Sequence, residues 1–340
     1  MQVTRRTMVG VLGALGAGLP AWVPAAAQAP DEDILAKVAD QAIAFGARAV
    51  VIADSAQTLL QRGAVSQPSR IASIRKSFLS ALIGTAVRDG KLNLGASIAS
   101  LGIEDDRPLT PVESRATVRQ LMQARSGIYL PAAAETPDMR AMRPERGSHA
   151  PGSFWYYNNW DFNVLGEIYR RAAGEDVFAG FERRLARPLG FQDFDPRRHA
   201  RYDYERERSR YPAYNLWLSA RDLARFGQLY LRRGAWNGRQ LVPASWVRES
   251  TAPVSATGGT GWWSGYGHLW WTPRGGAAAG LPLGSFTASG NGGRYIAVFP
   301  SHDLVMAIQP DEREGAPPVR LFTQRGALDN LMRLLLTARG

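Results

Sequence analysis

Residues 70–83 read Arg-Ile-Ala-Ser-Ile-Arg-Lys-Ser-Phe-Leu-Ser-Ala-Leu-Ile, and the rest of the chain is best understood outward from this stretch. Ser73 and Lys76 are three residues apart, a spacing that places both side chains on one face of a helix. Phe78, Ala81 and Leu82 continue at helical spacing, which predicts a helix that begins near Ser73 and buries its other side. A nucleophile there would lie at the positive end of the helix dipole.

Lysine is rare in this chain. Lysine and arginine total 41 residues, yet lysine occurs only at Lys37, Lys76 and Lys91. An ammonium group can lose its proton when it is desolvated and then act as a base, whereas a guanidinium group cannot. Lysine at position 76 therefore indicates that this residue acts as a base. A Ser-x-x-Lys motif alone is weak evidence for a catalytic site, however, and further motifs are needed to support it.

The first 29 residues differ in composition from the rest. Arg5 and Arg6 precede an uncharged, glycine-rich apolar run, and small residues follow at 25–29. This order is typical of a signal peptide, and the paired arginines resemble a twin-arginine signal. We expect residues 1–29 to be removed during export to the periplasm, without stable membrane insertion afterwards. A membrane anchor is the alternative, but Pro20 and Pro24 interrupt a short apolar run.

Composition excludes several kinds of site. The net charge is +11, but basic residues alternate with acids over 182–184 and 195–208, which indicates a solvated surface and no nucleic-acid partner. Without cysteine there is no thiol nucleophile, thiolate metal site or disulfide. The four histidines are scattered and no His-Glu-x-x-His occurs, so we expect neither a metal nor a cofactor. The oligomeric state is not visible in the sequence.

Strand-like segments lie towards both ends of the chain and helical segments lie between them. Periodicity and turn residues predict helices at 31–43, 73–86, 117–127, 219–231 and 328–337, and strands at 47–53, 58–61, 266–271, 285–288, 295–299 and 304–308. We predict an α/β (α+β) fold: an antiparallel sheet built from both termini, flanked by helices, with an inserted, mostly helical lobe. The domain spans residues 30–340, with the sheet lobe at about 30–77 and 280–340 and the helical lobe at about 78–279.

A second motif candidate lies in the aromatic run 152–166. It contains two overlapping Tyr-x-Asn sequences, Tyr156 with Asn158 and Tyr157 with Asn159, followed by Leu165-Gly166. Aromatic crowding of this kind also fits an ordinary core. Trp155 and Trp160 in this run, together with the tryptophan pairs 262–263 and 270–271, predict a hydrophobic cleft.

Together these motifs resemble the serine β-lactamase and penicillin-binding-protein superfamily, in its class C and esterase branch. The resemblance rests on Ser-x-x-Lys at 73–76, Tyr-x-Asn about 80 residues later and Leu165-Gly166, and it extends to 117–127, 219–227 and 289–294. Residues 146–163 are most similar to the branch with 6-aminohexanoate-dimer hydrolases and related carboxylesterases. Counting back from Leu165-Gly166 in the family's spacing favours Tyr157 and Asn159 over the other pair.

The resemblance implies a β-lactamase/transpeptidase-like fold and a serine acyl-hydrolase. Ser73 would attack a carbonyl, neutral Lys76 would accept its proton, and Tyr157 would protonate the leaving group and later activate water. Backbone N–H groups of Ser73 and of the glycine-rich strand would hold the oxyanion, and Asn159 would position the acyl group and Lys76. The binding residues that we predict are Ser73, Asn159, Trp160, Gly290, Asn291, Gly292, Gly293 and Arg294.

The sequence departs from the family at its third motif. The β-lactamases carry a lysine there, whereas this chain has none beyond Lys91. Arg294 either substitutes for it or has a structural role, and the sequence leaves both open. We therefore expect a small ester or amide as substrate. The alternative is a penicillin-recognising protein, D-amino-acid peptidase or sensor that acylates without efficient turnover.

Overall fold

The computed structural model describes residues 29–274, 280–314, 316, 319–324 and 326–339. Apart from Ala29, the predicted export signal lies outside the described residues. The α-helices are α1 (Glu32–Ala44), α2 (Arg75–Arg88), α3 (Val118–Met122), α4 (Pro137–Ala141), α5 (Asn159–Ala173), α6 (Val177–Phe181), α7 (Arg187–Leu189), α8 (Ala220–Leu231), α9 (Ala244–Ser250), α10 (Arg320–Thr323) and α11 (Ala327–Leu336).

Most strands belong to one antiparallel sheet. The strands are β1 (Ala47–Ala53), β2 (Thr58–Gly63), β3 (Ser69–Arg70), β4 (Ala200–Asp203), β5 (Ala213–Leu218), β6 (Ala235–Trp236), β7 (Arg239–Gln240), β8 (Ser255–Ala256), β9 (Gly265–Tyr266), β10 (Trp271–Thr272), β11 (Phe286–Gly290), β12 (Arg294–Phe299) and β13 (Leu304–Pro310). The main sheet has the order β2-β1-β13-β12-β11-β10-β9-β8. Smaller sheets have the order β3-β5-β4 and β6-β7.

Both ends of the chain build the centre of the main sheet, as predicted. β1 pairs with β13 so that Val50 lies opposite Ile308. Side chains alternate between the faces: Val305 and Ala307 pack toward the helical lobe, whereas Met306 and Ile308 pack toward α1 and α11. Because the sheet is covered on both faces, the side chains on both faces are buried, and this explains why these strands are apolar at nearly every position.

The helix that carries the Ser-x-x-Lys motif runs through the interior. Residues 75–86 of α2 are all buried, including the charged side chains of Arg75 and Lys76. A helix buried on all sides must be enclosed by its neighbours, and α2 packs against α5, α6 and α9. Its position between the sheet and the helical lobe places its N-terminus at the junction of the two.

Several local predictions differ from the structure. The strand predicted at 266–271 is wrong: β9 and β10 form a hairpin there, in which the Gly267 N–H donates to the carbonyl of Trp270 at 2.8 Å and Leu269 has a φ of +66°. Strands β8 to β10 belong to the main sheet, so the helical lobe ends before residue 255 and not near 279. No element is predicted between 129 and 152, where the structure has α4, capped by the Thr136 hydroxyl.

The other predicted elements are confirmed within one or two residues at most ends, whereas the helix predicted at 117–127 already ends at Met122. Thr117 and Gln120 form a capping box at the start of α3, and the Ser219 hydroxyl caps α8. In the described part of the chain, no helix has the length and apolarity needed to cross a bilayer.

Candidate active site

Ser73 lies in a tight turn that leads directly into α2. Residues 72–74 form a single 3₁₀ turn, and α2 begins at Arg75. Ala72, just before the serine, has a φ of +47°, in the left-handed region that L-residues rarely adopt. Backbone strain of this kind is concentrated at functional sites, where the surrounding structure enforces it.

The side chains of Ser73, Lys76 and Tyr157 meet at one point. The Lys76 Nζ lies 3.0 Å from the Ser73 Oγ and 2.8 Å from the Tyr157 Oη. The lysine is only 2% exposed, and its Nζ also lies over the rings of Tyr157 and Phe162, 4.2 Å and 4.5 Å from their centroids. The amine is thus enclosed by one serine, one phenol and aromatic carbon.

This enclosure controls the protonation states of Lys76 and Tyr157. Burial lowers the pKa of Lys76 well below its usual range, and the positive charge of Arg75 acts in the same direction. Burial raises the pKa of Tyr157 to about 12, against smaller opposing effects of the Ser73 hydroxyl and Arg75. A neutral amine and a protonated phenol are the states that proton transfer from the serine requires.

Tyr157 owes its position to the start of α5. The next residue, Asn158, caps this helix by accepting the Trp160 N–H, and its amide donates to the Ile128 carbonyl at 2.6 Å. The Tyr157 ring stacks on Trp271, with ring centroids 5.3 Å apart and planes at 23°. The phenol is therefore held between a helix N-terminus and strand β10.

The structure distinguishes the two overlapping Tyr-x-Asn registers. Tyr157 reaches Lys76, whereas the Tyr156 hydroxyl points away and donates to the Met139 carbonyl at 2.6 Å. Asn158 is the helix cap just described, so neither member of the alternative pair touches the serine or the lysine.

The end of β11 lies against the turn that carries the serine. A Cβ atom on Gly290 would lie 2.5 Å from the Ile71 carbonyl oxygen, closer than real contacts allow, so only glycine fits there. The tight turn 291–293 follows, with φ angles of +87° at Gly292 and +93° at Gly293. This packing brings the backbone of the predicted third motif next to Ser73.

Three predicted binding residues need correction. Trp160 is 0% exposed, and its indole N–H donates to Asp105 at 2.7 Å, so the ring is part of the core. The Asn159 amide nitrogen donates to the carbonyls of Ala133 and Ala134, and Asn159 makes no hydrogen bond to Lys76. Its amide nitrogen therefore anchors a neighbouring loop, whereas its Oδ1 is buried without a hydrogen-bond partner among the described residues.

Arg294 also has a structural role. Its guanidinium donates to the backbone carbonyls of Arg70 and Asn291 and forms an ion pair with Glu312. With 3% exposure and all three nitrogen positions occupied, it is not available to a substrate carboxylate. The sequence left this choice open because the direction of a long side chain depends on distant partners.

An aromatic cluster surrounds Tyr157 on the side of the sheet. Trp155 and Trp263 contact Trp271, with centroid distances of 5.8 Å and 5.1 Å, and Tyr266 lies 5.9 Å from Tyr157. Trp155, Trp263 and Trp271 are partly exposed, whereas Trp262 and Trp270 are fully buried in the cores. Of the tryptophans expected to form a cleft, only those three contribute to a surface beside the site.

Sequence reasoning missed α5 as a helix, and with it Phe162 as a wall of the lysine pocket. The available signals were the Asn158 cap and Gly174, which ends the helix at a φ of +68°.

His268 is a core residue, with its Nε2 3.0 Å from the Gln123 Nε2. No cluster of potential metal ligands occurs among the described residues.

Proteins of related sequence and fold are known. A protein of Alkalihalophilus pseudofirmus, described as uncharacterized, is 23% identical over 271 residues, which is 73% of this chain and 74% of the relative. Similar solved structures include a candidate 6-aminohexanoate-dimer hydrolase from Bacillus anthracis, with a TM-score of 0.65, 21% identity and coverage of 89% of this chain and 81% of the other.

Another similar structure is a penicillin-binding protein homologue from Caulobacter crescentus, with a TM-score of 0.65 and 17% identity over 90% of this chain and 97% of the other. At such identities these structures show a shared fold. The family model for β-lactamases matches residues 35–321, which include every predicted catalytic residue. The chain belongs to the β-lactamase family.

Proposed function

We propose that this protein is a serine acyl-hydrolase that cleaves a small ester or amide through an acyl-enzyme. The observation that carries the proposal is the buried Lys76 amine, within hydrogen-bonding distance of both the Ser73 hydroxyl and the Tyr157 phenol. A lysine held neutral beside a serine has the arrangement needed to activate that serine as a nucleophile.

The reaction divides into two balanced steps. Neutral Lys76 accepts the Ser73 proton as the Oγ attacks the carbonyl carbon, and the carbonyl π electrons move to the oxygen. When this oxyanion collapses, the bond to the leaving group breaks, and Tyr157 supplies the proton that the leaving group needs while Lys76 returns its proton to the phenol. In the second step, water attacks the acyl carbonyl while its proton passes through the Tyr157 phenol to Lys76. When this intermediate collapses, the bond between the acyl carbon and the Ser73 Oγ breaks, the acid leaves and the proton returns to the Oγ.

The oxyanion would be held by backbone N–H groups of Ser73 and of the turn 291–293. The close approach of Gly290 to Ile71 supports this, because it places the end of β11 beside the nucleophile. Fixed backbone donors at such a position are worth about 10²- to 10³-fold in rate.

The acyl substrate that we propose is uncharged near the reacting bond. Arg294 is committed to Glu312 and two carbonyls, and the Lys91 amine lies 3.4 Å from the Ala173 carbonyl, remote from Ser73 in the helical lobe. The partly exposed rings of Trp155, Trp263 and Trp271 offer an apolar surface instead. Esters and small neutral amides suit this site better than β-lactams, which carry a carboxylate.

The test is turnover by the purified mature protein. We expect steady hydrolysis of p-nitrophenyl acetate and butyrate, slower or no hydrolysis of nitrocefin, and complete loss of ester turnover in Ser73→Ala. A burst of one product per enzyme without turnover would instead support a penicillin-recognising or sensor protein. Unchanged hydrolysis in Ser73→Ala would refute the mechanism.

We also propose that the protein is exported to the periplasm. The paired arginines and the glycine-rich apolar run of residues 5–19 support this location. Fractionation of cells that express the full chain, with N-terminal sequencing of the product, tests it: protein found only in the cytoplasm with residues 1–29 attached would refute it.

A further inference from the structure

Arg75 is an unusual residue for the interior of a protein. It is 3% exposed, and within the described chain its Nε and Nη2 atoms are buried without a hydrogen-bond partner. Its Nη1 has only a long contact of 3.5 Å to the Ala72 carbonyl, and the guanidinium lies over the Tyr214 ring at 5.1 Å. Buried charges are normally paired, because an isolated buried cation destabilises the fold.

The carboxylate that acts electrostatically on Arg75, that of Asp203, does not neutralise it. This carboxylate is bonded to Asn215 and lies 3.3 Å from Arg201 and 3.9 Å from Arg70. No ion pair of Arg75 occurs within 4 Å among the residues that the structure describes. Guanidinium keeps its proton even when it is buried, so a positive charge remains at this position.

The position of this charge is what gives it a role. Arg75 directly precedes Lys76 on α2, and it acts on both Lys76 and Tyr157. We propose that Arg75 is a positioning residue for the reaction: its buried cation disfavours a second positive charge in the site and so, in addition to the burial of the amine, helps to hold Lys76 as the neutral base. This inference rests on the proposed function.

The other ionisable groups around the site do not cancel this effect. Tyr157, before α5, and Tyr214, on β5, face Arg75, and burial raises the pKa of both phenols, so they are neutral at ordinary pH. Burial also raises the pKa of Asp161 on α5 well above its usual range, and that of Tyr266 on β9. The second cation on this side is Arg70, whose side chain is 47% exposed and is screened by water.

The experiment is the pH dependence of kcat/KM for p-nitrophenyl butyrate, whose acidic limb reports the pKa of the general base in the free enzyme. The variants are Arg75→Met and Arg75→Gln, both uncharged, with Arg70→Met as the matched control. Removal of a nearby like charge raises the pKa of Lys76, so the acidic limb of both Arg75 variants moves up by about one pH unit. In Arg70→Met, the acidic limb of the profile stays at its wild-type pH.

The outcomes separate the possibilities. A purely structural Arg75 would change the melting temperature or KM but leave the limb in place, and this result in either folded variant overturns the inference. An equal shift in Arg70→Met would overturn it as well, because any nearby cation would then suffice. If Ser73→Ala retains turnover, the proposed function itself fails; if Ser73→Ala is inactive and the limb does not move, only the role of Arg75 fails.

Discussion

The two adjacent tyrosines provide the sharpest test of the site. Tyr157→Phe removes the phenol 2.8 Å from the Lys76 amine but keeps the ring that stacks on Trp271. Loss of a positioned acid–base group lowers the rate about 10²- to 10⁴-fold, equivalent to a barrier increase of about 3–5 kcal/mol. We expect this loss in kcat for p-nitrophenyl butyrate hydrolysis, with a change in unfolding free energy of about 1 kcal/mol or less.

Tyr156→Phe is the matched control, with the opposite expectation. It leaves the Met139 carbonyl, buried beside the ring, without the hydrogen bond of 2.6 Å that the phenol now donates. Loss of one partner of a buried pair costs about 1–3 kcal/mol, so urea unfolding shifts while kcat stays within about twofold of wild type. Retention of activity in Tyr157→Phe, or its loss in Tyr156→Phe, would refute the assignment of the phenol.

Three further predictions follow from buried groups. Lys76→Met abolishes turnover but keeps or raises the melting temperature, because it removes a polar amine from a desolvated pocket; a melting temperature that falls by more than about 5 °C would contradict this. Gly290→Ala lowers kcat at least about tenfold, since its Cβ would meet the Ile71 carbonyl at 2.5 Å and displace the turn before Ser73; wild-type kcat in a folded variant would show that the contact is unimportant. Burial lowers the pKa of His268 from 6.5 to about 4, so the unfolded state binds a proton first and about 3 kcal/mol of stability is lost as the pH falls from about 6.5 to below 4. Urea unfolding of wild type and His268→Gln across this range measures that loss, and equal pH dependence in the two proteins would exclude His268 as its source.

Local patterns were sufficient for much of the fold. The helical spacing of Phe78, Ala81 and Leu82 predicted α2, and the continuous apolar run 304–308 after a turn predicted β13, because each pattern is local to one element. The hairpin β9–β10 was mistaken for one strand, since its turn depends on the left-handed backbone of Leu269, which apolar residues rarely adopt.

In the candidate site, too, the sequence was sufficient where a residue's position depends on local spacing and insufficient where it depends on distant contacts. Ser73 and Lys76 could be paired from the sequence alone because one helical turn fixes their separation. Tyr157 needed the family resemblance to distinguish it from Tyr156, and the structure then supplied the physical reason: each phenol points to a different part of the chain. Trp160 was wrong as a binding residue because its partner, Asp105, is distant in sequence, and the contacts of the Asn159 amide nitrogen with the loop at 133–134 could not be predicted for the same reason.

The sequence by itself determined the amphipathic elements, the strands at both ends of the chain and the serine and lysine on one turn of helix, because all of these depend on residues a few positions apart. Only the tertiary structure decided which tyrosine meets the lysine, that Arg294 is bound to Glu312 and that Arg75 is buried with no ion pair to a described acid. These features depend on how α2, α5 and the sheet pack together, and the charge state of a buried group follows from everything that packs around it.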